Sequence, residues 1–215
     1  MSLNNRSASG IGTRRIVLAC GHAGCLKTTI TLAAAPRLSM NIVATYAMGS
    51  FDNSSPDKLA RSRAIRYGKL LSVVRTLLEN ELSVWIDGNF PERRLREDVW
   101  GLARTFGVTD AVALKCVCTV PRMLEERFAE RRADPLQPDA LAAEIGAYWG
   151  SVAQFEAIDA VELAGFERAE ILVFDSCGCA LGESPASPLG IEIERSLTHA
   201  GYLGERARSA RSSTD

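Results

Sequence analysis

The chain reads as an α/β protein, a parallel sheet covered by helices on both faces. Three observations predict this class. Five short apolar runs, most of them rich in branched residues, recur along the sequence. Stretches with helical spacing of apolar residues stand between them. The two kinds of segment alternate through the whole length, as they do where parallel strands are joined by helical crossovers. The 215 residues suffice for one buried domain and are few for two.

The elements follow in order. RRIVLAC, residues 14–20, is the first strand, and glycine follows it at once. Residues 27–38 are rich in alanine and leucine and read as a helix, loosened at its end by Pro36. NIVATYAM, 41–48, is the second strand, and GSFDNSSPD, 49–57, is a loop by its Gly, Ser, Asn and Pro content. Over 58–80, Leu59, Ile65, Leu70, Leu71, Val74, Leu77 and Leu78 recur at helical spacing. SVWIDGNF, 83–90, holds a third strand ending at Asp87, and Pro91 suits the first turn of a helix over 91–106. TDAVALKCVC, 109–118, is the fourth strand. A charged helix over 121–132, a two-proline loop over 133–140 and a helix over 140–158 come next. EILVFDS, 170–176, is the fifth strand, and a last helix runs over about 187–200. The domain then spans 14–202, between flexible tails at 1–13 and 203–215. Right-handed crossovers bring the strand ends Cys20, Tyr46, Asp87, Cys118 and Ser176 to one edge of the sheet. Ligands of such sheets bind beyond that edge.

Composition narrows the function classes. Apolar residues are 47% and charged residues 24%, ordinary for a soluble globular chain. A net charge of −1 implies no general attraction to nucleic acid or anionic membrane. No apolar run approaches the roughly 18 residues of a membrane span. The polar N-terminus lacks a secretory core, so a cytoplasmic setting is expected. The cysteines at 20, 25, 116, 118, 177 and 179 lack zinc spacing and read as reduced thiols.

GHAGCLKTT, 21–29, carries the chemistry. A phosphate loop presents inward backbone N–H groups, with a helix N-terminus behind them. Gly21 and Gly24 supply backbone freedom, Lys27 reaches the phosphates, and Thr28 offers its hydroxyl to Mg²⁺. The loop follows a strand and opens a helix, as this mechanism needs. Leu26 stands where the G-x-x-x-x-G-K-[ST] pattern has its second glycine. A positive φ there would cost about 1 kcal/mol or more. His22 lies within reach of phosphate or substrate, and its plainer reading is a solvated loop residue. Asp87 ends a buried strand, where a carboxylate holds a magnesium-bound water or accepts a proton. Its plainer reading is a turn aspartate before Gly88. Arg127 and Arg131 share a helix face, with Arg132 beside them. Arginines over a phosphate site stabilise the transferring group, and the alternative is a solvated face paired with Glu125, Glu126 and Glu130.

These segments, in this order, resemble the small P-loop kinases of the predicted-kinase and polynucleotide-kinase-like group. The likeness covers about residues 14–200. GHAGCLKTT is similar to that group's G-x-P-G-x-G-K-[ST]-T loop. D-G-N-F-P-E-R-R, within SVWIDGNFPERRLREDVWGLARTFG, is close to the D-T-N-L-N-P-E-R-R of a phage polynucleotide kinase. TVPRMLEERFAERRADP is similar to the lid with its R-x3-R-R pattern, and EILVFDS to the last strand, near adenine. The resemblance implies a three-layer P-loop NTPase fold with a five-stranded parallel sheet and a short helical lid. It implies transfer of the ATP γ-phosphoryl to a hydroxyl. Lys27, Thr28, Arg127 and Arg131 then meet phosphate and Mg²⁺, and Asp87 orients Mg²⁺ or the acceptor. The loop residues Gly21, His22, Ala23, Gly24, Cys25, Leu26, Lys27, Thr28 and Thr29 cradle the nucleotide, with Ser176 and Cys177 near the base.

Two departures stand out. Leu26 replaces the glycine before lysine, and the aspartate that the group carries just after the second strand is missing. Asp52, from the longer loop, is the candidate to replace it, or else a solvated turn residue. The leading expectation is an ATP- and Mg²⁺-dependent phosphotransferase. A small-molecule acceptor is favoured over a nucleic-acid end, since no basic groove with interleaved aromatics is evident. The alternatives are a nucleotide-binding protein with altered or absent catalysis, an NTPase serving a partner, and a structural protein without a ligand.

Overall fold

The computed structural model describes residues 13–49, 52, 54–133 and 152–204. In chain order these form β1 (Arg15–Gly21), α1 (Lys27–Ala34), β2 (Asn41–Ala44), α2 (Pro56–Glu79), β3 (Val84–Asp87), α3 (Arg93–Thr105), β4 (Asp110–Val117), α4 (Pro121–Ala133), β5 (Arg168–Asp175), β6 (Ala180–Leu181) and α5 (Pro188–His199). Short 3₁₀ turns occupy Pro36–Leu38, Thr45–Met48 and Ala160–Leu163. The sheet order is β2-β3-β1-β4-β5-β6. The first five strands are parallel, and β6 joins antiparallel, pairing Phe174 with Leu181 and Asp175 with Ala180.

β1 is central and buried from Ile16 onward, which explains its unbroken apolar run. Its alternate residues face two separate cores. Val17 and Ala19 join Val112, Leu114, Ile30 and Ala34 of α1, and Ile193 and Leu197 of α5. Ile16 and Leu18 join Leu70, Val74 and Leu78 of α2, and Val99, Trp100 and Ala103 of α3. Each fully buried leucine or isoleucine contributes roughly 2 kcal/mol. α2 starts at a Ser55 cap that accepts from the Lys58 amide, with Pro56 at its first position. α5 starts in the same way, on Ser187 and Pro188. Glu170 of β5 holds that entry, accepting from the amides of Ala186 and Ser187 and from the Ser187 hydroxyl.

Four expectations are corrected. Among the described residues the sheet has six strands rather than five, since the two-residue β6 is too short to leave a pattern. The second strand stops at Ala44, because β3, its neighbour among the described residues, ends opposite it at Asp87. Pro91 precedes α3 instead of entering its first turn, and its carbonyl accepts from Arg96 and from the Glu156 amide. The helix expected over 140–158 lies largely outside the described residues. Residues 152–154 are helical and 155–158 are not, the Glu156 amide being drawn across to Pro91. No helix among the described residues is long and apolar enough to cross a membrane.

A buried ion pair fixes how the chain after residue 154 meets the sheet. Arg96 and Glu162 are both fully buried. Arg96 forks onto both Glu162 oxygens, at 2.8 and 2.7 Å. Its other N–H groups reach the carbonyls of Phe90, Pro91 and Ala157 at 3.0 to 3.1 Å. Removing one member strands the other's charge in the core. Arg96→Met is expected to cost about 3–5 kcal/mol in urea unfolding. Adding Glu162→Leu should recover about 2 kcal/mol or more, and no recovery would show that the carbonyl contacts dominate.

Candidate functional site

β1 ends in a loop that the sheet shapes directly. A Cβ at Gly21 would stand 2.1 Å from the Cys116 carbonyl oxygen, so only glycine fits, and its φ is +131°. The Gly21 amide donates to the Asn89 carbonyl at 3.0 Å, joining the ends of β1 and β3. Gly24 has φ +79°, and a Cβ there would press Leu124 and Phe128 of α4 at 2.9 and 3.1 Å. α4 therefore lies over the loop. Leu26 takes φ +59° and ψ +17°, the left-handed region, just before α1. Leucine there is strained by about 1–2 kcal/mol, partly offset by packing against the core. Phe90, three residues past Asp87, is left-handed too, at φ +46° and nearly fully buried. Its amide donates to the Tyr67 hydroxyl at 3.3 Å.

The loop places its polar groups at the carboxyl edge of the sheet. Lys27 is buried, and its ammonium donates to the His22 carbonyl at 2.5 Å. The Thr28 hydroxyl donates to Asp87 Oδ2 at 2.6 Å. Asp87 is itself 2% exposed. Two hard oxygens thus meet at the N-terminus of α1, the donor chemistry that suits Mg²⁺. Ala23, Leu26 and Thr29 are half-buried, and Cys25 is fully buried. Arg127 bridges three elements, donating to Gly24 O at 2.7 Å, Ser176 Oγ at 2.9 Å and Ser176 O at 2.9 Å. It thereby ties α4 to the loop and to the end of β5, with Cys177 next in sequence. On α4 Glu126 meets Arg122, which was not among the arginines expected to pair there, and the described hydrogen bonds of Arg127 go to Gly24 and Ser176. Arg131 lies on α4, and its side chain is outside the described set, as is that of Arg132.

One candidate sits differently from expectation, and another takes its plainer reading. His22 is not a solvated loop residue. It is 7% exposed and meets the Phe155 ring edge-on at 5.1 Å. Burial first, then the charges of Lys27 and Lys115, lower its pKa to about 4. Asp52 is exposed and bonded locally: its carboxylate accepts from the amide and hydroxyl of Ser54, and its amide donates to Ser62. Two residues past β2, in the turn that follows it, stands Tyr46, whose phenol is pushed up by burial and by the Asp87 charge.

Sequence reasoning missed Lys115, Phe155 and the Arg96–Glu162 pair. Lys115 had a signal, as the one charged residue between Asp110 and Cys118 in an apolar strand. Its ammonium stands 5.1 Å from the Phe155 ring centre. Phe155 had no such signal, because its place depends on chain returning from beyond residue 133.

Comparison with known proteins agrees with this architecture. No protein-family model matches the chain, and no curated protein sequence does. Solved structures do match. A candidate kinase from Chloroflexus aurantiacus superposes with a TM-score of 0.60 at 16% identity, covering 89% of this chain and 100% of that one. Kti12 of Chaetomium thermophilum, in complex with ADP-AlF3, gives 0.53 at 14% identity over 86% and 97%. A sugar kinase from a Janibacter species gives 0.51 at 18% identity over 89% and 99%. At these identities the likeness is one of fold: the chain has the fold of the small P-loop kinases.

Two measurements test the loop geometry. Leu26→Gly relieves the left-handed strain that Leu26→Ala retains. The glycine variant should be more stable than the alanine variant by about 1 kcal/mol, despite losing the same packing. The reverse order would mean that φ is negative in solution. His22 binds a proton in the unfolded chain at pH 6.5, yet in the folded chain only near pH 4. Its contribution to stability is therefore full above 6.5 and is lost as pH falls toward 4. Over that window wild type should lose urea resistance faster than His22→Gln. Parallel curves would place His22 in solvent.

Proposed function

We propose that the chain is an ATP-dependent phosphotransferase acting on a hydroxyl of a small molecule. The observation that carries this reading is the Thr28–Asp87 contact at 2.6 Å beside the buried Lys27. In this reading the loop amides of residues 21–29 surround the phosphates. Lys27 leaves the His22 carbonyl for the β- and γ-phosphate oxygens. Thr28 and Asp87 would hold Mg²⁺, which when bound would neutralise charge on the phosphates. Asp87 also accepts, or orients, the acceptor proton. Arg127 is already anchored by Ser176 and Gly24, between the loop and the side on which Ser176 and Cys177 flank the base. The resemblance gives Arg131 a role at the transferring group. The chemistry asked of these groups is positioning and charge stabilisation.

The acceptor half supports a small ligand rather than a nucleic-acid end, given the near-zero net charge. The sugar kinase among the solved structures of this fold fits that choice. A second reading is nucleotide binding without turnover, in a cytoplasmic regulatory role. The specific observation favouring it is Tyr46 at the exit of β2, where the resembled kinases place an aspartate. Asp52 is engaged with Ser54 in its own turn and with Ser62 of α2.

Calorimetric titration of Mg-ATP decides between them when joined to a screen of hydroxylated acceptors. Binding should be present in wild type and absent in Lys27→Ala. Asp87→Asn should retain binding within about tenfold and lower turnover by about a hundredfold or more. Arg131→Ala should lower turnover by about tenfold or more. Equal binding by wild type and Lys27→Ala would remove the reading. Tight binding with no acceptor turned over would select the second one.

A further inference from the structure

Cys118 and Cys177 come together where two parallel strands leave the sheet. Val117 and Asp175 are register partners at the ends of β4 and β5. Cys118, one residue past Val117, and Cys177, two past Asp175, bring their Sγ atoms to 2.7 Å, 59 positions apart in sequence. A sulfur–sulfur bond is about 2.05 Å long, so about 0.7 Å of closure would form one. The two thiols differ in access. Cys118 is 3% exposed, and Cys177 is half-exposed. Burial pushes the Cys118 thiol up to about 11. Cys20, Cys25 and Cys116 are fully buried. The phosphoryl-transfer reading sets Cys177 beside the base but gives neither sulfur a chemical step.

We infer that Cys118 and Cys177 are a modification site, forming a reversible disulfide by exchange with a low-molecular-weight disulfide of the glutathione type. Cys177 is the entry point. Its thiolate attacks one sulfur of the small disulfide, whose S–S bond breaks and whose departing thiolate takes up the proton that Cys177 released. Cys118 then gives up its proton and attacks the Cys177 sulfur. The second small thiolate leaves with that proton. The protein dithiol loses two electrons and two protons, and the small disulfide gains them as two thiols.

The link would close next to Ser176, whose carbonyl and hydroxyl hold Arg127. Arg127 in turn holds the Gly24 carbonyl. Oxidation at this pair therefore fixes the anchor that connects α4 to the loop. Cross-linking across 59 residues also restricts the unfolded chain.

The test uses the full chain without nucleotide, so it stands or falls separately from the nucleotide reading. The protein is equilibrated in glutathione buffers from fully reducing to fully oxidising, quenched with acid, alkylated and peptide-mapped by mass spectrometry. The expected result is a Cys118–Cys177 cross-link that dithiothreitol reverses. The cross-linked form should melt about 5 °C or more higher than the reduced form. Cys177→Ser, at a half-exposed position, should show neither the link nor the shift. Cys118→Ser repeats the control from the buried side, and the Cys177→Ser comparison suffices if that variant does not fold. Glutathione retained on Cys177 alone, a link from Cys177 to Cys179, or a Cys118–Cys177 link found only in denaturant would each overturn the inference.

Discussion

One buried guanidinium sets the positions of the groups along the carboxyl edge of the sheet. Arg96 uses its N–H groups on the Glu162 carboxylate and on three main-chain carbonyls. Two of those carbonyls, Phe90 and Pro91, belong to the chain leaving β3. The third, Ala157, belongs to the chain returning after residue 151. Burying such a charge is costly unless each donor is met, and here every direction of the fork finds an acceptor. The result is a clamp between two backbone segments. It holds Phe155 where Arg96 and Lys115 lie 5.4 and 5.1 Å from its ring centre. Phe155 in turn closes over His22, so the histidine is kept dry and neutral.

The site is built under strain on both of its walls. Leu26 opens α1 from the left-handed region, and Phe90 leaves β3 in the same conformation. Such residues persist where the surroundings over-determine them. For Leu26 the surroundings are the α1 start and core packing, and for Phe90 they are Tyr67 and the Arg96 fork. Between the two walls the Thr28–Asp87 contact bridges α1 and β3. A negative carboxylate thus lies at the positive end of a helix, while Lys27 supplies the opposite charge within the same loop.

The sequence was legible where local chemistry decides. β1, β3, β4 and α2 follow from apolar runs and periodicity, and the loop from its glycines and lysine in a strand-to-helix setting. The stop of β2 at Ala44 was not legible, because it depends on where a neighbouring strand ends. Nor was the burial of His22, which depends on a phenylalanine 133 positions away that reaches it only through the clamp. Arg127 was picked out for the phosphates by its helical spacing. Its bonds to Gly24 and Ser176 belong to the tertiary arrangement and leave no trace in a helical pattern. Lys115 is the instructive omission, since a lysine inside a buried strand was visible and asked for a partner.

The margins of the sheet carry a consequence for how this chain behaves among its own copies. A sheet rim with open N–H and C=O groups is a template on which another chain can add a strand. On one side the rim is β2, only four residues long. On the other, among the described residues, β6 pairs with Phe174 and Asp175 and the Gly182 amide takes the Val173 carbonyl, so the start of β5 is rim. That stretch begins with Arg168 and includes Glu170, which is occupied in holding the entry to α5. An incoming strand would have to displace the chain around Ala186 and Ser187 and lie against fixed charges. Brevity on one side and occupied charge on the other disfavour the addition of a strand at either rim, even though the Val173 side chain stands exposed there.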